Sequence, residues 1–139
     1  MAYLSIEEIK GYLHEENVDA ITRNDDTVVQ AAIDSGISEA KGYLKAYDVD
    51  AIFNATGAAR NALLLTFVKD LSAWHIMKLS NAGVHYEYRK QVYERAIQWL
   101  KDVQKGNIMP DLPALANDEG EPLTNGIKFG SNDKKSNRF

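Results

Sequence analysis

Apolar residues recur in steps of three and four along most of the first hundred positions, and no stretch of convincing length alternates in the period of two that marks a strand. Within the first run, Leu4, Ile6, Ile9 and Leu13, stand Ser5 and Glu8 in S-x-x-E spacing, the pattern of a capping box, so a short helix begins there. Asp25 or Asp26 in "RNDD" is placed to cap a second helix, which runs from Thr27 to about Tyr47. Its stripe is Val29, Ile33, Ile37, Ala40, Leu44 and Tyr47. Gly36 and Gly42 interrupt it, each at a cost of roughly 1 kcal/mol relative to Ala, which is tolerated where a neighbouring helix comes close. A third helix spans about Ala58 to Leu79, with Leu64, Phe67, Val68, Leu71, Trp74 and Met77 or Lys78 in phase and "SNAG" ending it. The fourth runs from about Tyr86 to Lys105 through Arg89, Val92, Tyr93, Ala96, Ile97, Leu100 and Val103, and Gly106 sits where the residue after a helix end belongs. The pattern predicts an all-α fold, a small bundle of about four helices.

All three prolines, Pro110, Pro113 and Pro122, follow this region. They divide the chain into a helical domain, residues 1–107, and an extended Pro/Gly/Asn-rich C-terminal arm, residues 108–139. The arm has no long apolar stripe, yet it spaces Ile127, Phe129 and Phe139 as anchors among polar residues and adds Lys134, Lys135 and Arg138 near its end. A polar arm with spaced apolar and basic residues is suited to ordering on a partner.

Composition narrows the functional classes. At 139 residues the chain suits one domain. It lacks cysteine, which removes disulfides, thiolate chemistry and Cys-ligated zinc. "ALLLTFV" is its longest apolar run, well short of the roughly 18–20 residues of a membrane span, so the protein is expected in a cytosol or in something assembled there. The net charge of −4 argues against a general nucleic-acid coat. The acid is concentrated at the start, where Glu7, Glu8, Glu15, Glu16, Asp19, Asp25 and Asp26 stand against Lys10 and Arg23.

Reactive constellations fail one by one. Ser38–Lys41 and Ser131–Lys134 match S-x-x-K, but the companion motifs of serine–lysine enzymes are missing. His14, His75 and His85 do not share a helical turn, Asp25 and Asp26 are better explained as caps, and there is no glycine-rich phosphate loop. Tyr43, Tyr47, Trp74, Tyr86, Tyr88, Tyr93 and Trp99 mostly fall at helical spacing, which suits the edge of a core or an interface better than a ligand cage. The expectation is a protein that is not an enzyme, uses no cofactor or metal, and works through its surfaces. A small helical DNA-binding or regulatory protein of a mobile element is the alternative, although the third and fourth helices lack a basic reading face.

The order of "MAYLSIEEIKGYL", "ITRNDD", "AIDSGISEAKGYLKAYDVDAIF" and "YERAIQWLKDVQKGNIMPDLP" resembles the small head–tail connector proteins of Mu-like prophages, the gp36-type family, which belongs with the head-completion adaptors of long-tailed phages. Its most specific parts are the helix end from Ala40 to Tyr47 and the helix from Tyr93 to Gly106. The resemblance covers roughly residues 1–113; residues 54–57 and the tail after Pro113 depart from it. It implies a non-enzymatic adaptor in the virion neck, a homo-oligomeric ring of about twelve copies that meets the portal protein, extends the DNA channel and presents a platform to a stopper or tail-completion protein. DNA would pass through without sequence-specific binding. On that reading Glu7, Glu8, Glu15 and Glu16 face the channel, where acid repels phosphate, and Ile127, Phe129, Lys134, Lys135, Arg138 and Phe139 contact the portal or a neighbouring subunit.

Overall fold

In the computed structural model, the described residues are 2–79 and 86–115, leaving aside the side chains of Glu15 and Glu16. They form six α-helices and a single 3-10 turn, with no strand among them. The helices are α1 (Ile6–Leu13), α2 (Glu15–Thr22), α3 (Asp26–Tyr43), α4 (Val49–Asn54), α5 (Ala62–Met77) and α6 (Tyr86–Gln104).

The fold class is the expected one, and the three longest expected helices survive as α3, α5 and α6. The additions are short. α2 was hidden because, among its described side chains, only Val18 and Thr22 are buried, too few to reveal a period, and because His14 separates it from α1 by taking φ 73°, a left-handed value unusual outside glycine. α4 has six residues, capped by Asp48, and contributes Ile52 and Phe53 to the core. α3 stops at Tyr43, four residues before the end of its apolar stripe. Leu44 and Tyr47 keep the stripe's phase because both still pack inward beyond the helix, Leu44 fully buried and Tyr47 partly.

α5 is the central element. Asp70, Leu71, Ser72 and Ala73 are all buried, and four consecutive residues take in every side of a helix, so α5 is enclosed. α3 packs along one side of it, α6 along another, and α1 and α2 cover the remainder. The helices carrying Phe67 and Trp99 meet with ring centroids 5.0 Å apart. Gly36 is where α3 and α5 approach most closely: a Cβ there would sit 2.9 Å from the Ser72 backbone nitrogen. Gly42 has no such neighbour, nothing lying within 4 Å of the corresponding position.

After α6, Gly106 takes φ 84° and turns the chain back. The segment that follows lies on the body. Ile108 and Leu112 pack against the core, the Asp48 N–H donates to the Pro113 carbonyl at 3.0 Å, and Tyr47 bridges to Ala114. Asn61 ties in the same segment, capping α5 through Oδ1 and donating from Nδ2 to the Asp111 carbonyl at 3.1 Å.

Candidate interaction surfaces

The N-terminal acids are mostly engaged within the molecule. Ser5 and Glu8 form the capping box their spacing predicts, each backbone N–H donating to the other's side chain at 3.1 Å. Glu8 is also gripped by Arg60, whose Nη1 and Nη2 donate to its two oxygens at 3.0 and 2.8 Å. The same guanidinium donates to the Tyr3 carbonyl and, through Nε, to that of Gly57. The hydrogen bond from Arg60 holds the Glu8 carboxyl well below the usual range, at about 2. Lys10 Nζ lies 3.0 Å from Asp19 and 3.3 Å from Asp26, and Asp25 caps α3 by accepting from the Thr27 N–H. Glu7 is exposed in the first turn of α1; Glu15 and Glu16 begin α2.

The aromatic residues stitch helices together. Trp74 on α5 lies between Tyr86 and Tyr93 of α6, with centroids 5.3 and 5.4 Å away. Glu39 on α3 joins this group from the other side: one oxygen is 2.6 Å from His75 Nε2 and the other accepts from the Tyr93 hydroxyl at 2.7 Å. Burial and that hydrogen bond raise the Tyr93 hydroxyl's pKa, so it stays a donor. Tyr3 packs edge-on against Phe53, and burial pushes its phenol up to about 12. Tyr43, Tyr47, Tyr93 and Trp99 take the core-edge role that their spacing suited, while Tyr86 and Tyr88 are exposed.

One polar arrangement escaped the sequence reading. Asp70 is 6% exposed in the enclosed helix α5, and the Tyr12 hydroxyl donates to it at 2.5 Å. Burial raises the Asp70 carboxyl, opposed by that hydrogen bond and by the nearby Arg89 and Arg95. The Arg89 guanidinium lies over two rings, 5.6 Å from the centroid of Tyr12 and 5.3 Å from that of Tyr88, and Lys69 Nζ is 5.6 Å from the Tyr12 ring. A carboxylate in the middle of "LLLTFVKDLSAW" was the available signal, since an acid inside an apolar helix needs a partner.

Elsewhere, a shallow alanine-lined groove of about 260 Å³ lies between α4, the 3-10 turn and the segment after α6, bounded by Arg60, Asn61 and Asp111. Arg60, its strongest charge, is committed to Glu8. Among the described residues no group of three or more His, Cys, Asp or Glu could hold a metal ion, and no helix is long and apolar enough to cross a membrane. Ile127, Phe129, Lys134, Lys135, Arg138 and Phe139 lie outside the described residues.

The family described as Bacteriophage Mu, Gp36 matches residues 3–128, past Pro113 where the sequence resemblance was expected to end and far enough to take in Ile127. No curated protein and no solved structure matches the chain. A match over most of an all-α chain gives its membership: the chain belongs to the Bacteriophage Mu Gp36 family.

Proposed function

We propose that this phage protein is a structural component of the virion neck, a non-enzymatic adaptor that forms a ring between the portal and the tail or its stopper. The observation that carries the reading is the family match over residues 3–128, which spans the whole helical body. The distribution of chemistry in that body supports it. The polar links Glu8–Arg60, Tyr12–Asp70 and Glu39–Tyr93 tie one element to another, and what faces outward is aromatic and charged surface. Such a body is a rigid block with faces to dock, and symmetry would multiply each modest contact around a ring. About twelve copies would match the portal and extend its DNA channel, with a stopper or tail-completion protein on the far side.

The location tests this. Electron cryomicroscopy of intact virions, compared with particles lacking this gene, should show a layer of density lost beneath the portal. Finished virions that do not contain the protein at all would overturn the assignment.

A further inference from the structure

We propose that the flank carrying Tyr12, Lys69, Tyr88, Arg89 and Arg95 is a docking surface for a second copy of this chain, which presents its acidic α2–α3 edge to it. The inference deepens the ring reading and rests on it.

Helix α1 separates two flanks of opposite charge. Lys10 and Tyr12 are two positions apart, about 200° around the helix axis, so they leave it on different sides. Lys10 reaches Asp19 on α2 and Asp26 on α3. Tyr12 reaches Asp70 on α5 and lies under Arg89 of α6. On the Tyr12 side the carboxylate is buried while the rings stay in solvent, Tyr12 36% and Tyr88 55% exposed. Arg89 and Arg95 lie near that buried acid, Lys69 lies over the Tyr12 ring, and Arg95 is exposed. A guanidinium already held against two rings gives up less freedom on binding than a free one, and Tyr and Arg are the residues that anchor interfaces.

The other flank has the opposite character. Asp26 keeps 62% of its side chain exposed, and Lys10, the cation beside it, is divided between two carboxylates. Asp25, the cap of α3, is exposed beside Asp26. A two-fold dimer that paired either flank with itself would set like charges together. Head-to-tail contact pairs cation with acid, and such a contact repeats until a ring closes.

Charge-swap variants of the full chain test this by sedimentation at low salt, alone and with the portal protein of the same genome. Arg95→Glu and Arg89→Glu should keep the wild-type circular dichroism and weaken self-association by about tenfold or more. Mixing Arg95→Glu with Asp26→Lys should restore assembly that neither variant reaches alone. Variants that assemble like the wild type, or a mixture no better than its components, overturn the docking surface and leave the ring reading standing. Loss of duplex-DNA retention in Arg95→Glu with assembly unchanged overturns it too, by assigning the flank to phosphate. A wild-type chain that stays monomeric with and without portal overturns the ring and this interface together.

Discussion

Gly36 on α3 faces Ser72 on α5 with so little space that a methyl group on Gly36 would meet the Ser72 Oγ at 2.5 Å, its backbone nitrogen at 2.9 Å and its Cα at 3.2 Å. Backbone atoms of an enclosed helix cannot swing aside as a side chain can. Gly36→Ala therefore destabilises by about 1–3 kcal/mol despite the helix propensity it gains. Gly42→Ala, in the same helix with nothing within 4 Å, stabilises by up to about 1 kcal/mol. Urea unfolding of the two variants measures the contrast, and equal effects would contradict the close approach.

The Glu8–Arg60 pair gives an acid limb to stability. The folded carboxyl titrates near 2, below its ordinary 4.5. A lowered pKa means the contribution is complete above about pH 4.5 and disappears as the pH falls towards 2. A third of the Glu8 side chain meets solvent, so the pair is worth about 1–2 kcal/mol, less than the full shift would give. Arg60→Ala should remove at least that amount at pH 7, since the Tyr3 and Gly57 carbonyls lose their donor too, and flatten the stability profile between pH 4.5 and 2. Denaturant midpoints measured across that range check it.

Glu39 fastens α3 to both α5 and α6, and the Tyr93 hydroxyl is its link to α6. Tyr93→Phe keeps the ring against Trp74 and removes only that donor, so it should cost about 1 kcal/mol. In a double-mutant cycle with Glu39→Ala, which removes the acceptor, the two losses should not add in full, because both remove the Tyr93–Glu39 bond. Additive losses would show that the hydroxyl acts elsewhere.

The arm yields a prediction of a different kind. Deleting residues 127–139 removes Ile127, Phe129, Lys134, Lys135, Arg138 and Phe139 but none of the residues in the helical core. The truncated chain should keep its helical circular dichroism and lose capture by the portal in a pull-down. Undiminished capture would remove the arm from the portal contact.

What could be read from the sequence was local. The stripes of α3, α5 and α6 run long enough for a 3.6-residue period to show, and the caps Ser5–Glu8 and Asp25 depend on residues within one turn. α2 and α4, eight and six residues long, offer too few turns for the period to emerge. Gly36 and Gly42 look alike in the chain because what separates them is the helix opposite. Glu8–Arg60, Tyr12–Asp70 and Glu39–His75 join positions 52, 58 and 36 residues apart, and nothing beside any of these residues names its partner. The outward flanks were equally hidden, since Tyr12, Lys69 and Arg89 come from three helices.

The neck assignment is tested most directly by the mass in solution of the purified chain, alone and mixed with the portal protein of the same genome, measured by light scattering. The expected result is a complex of fixed stoichiometry in which a ring of this protein travels with the portal. A chain that remains a 15.5 kDa monomer and ignores the portal would contradict it.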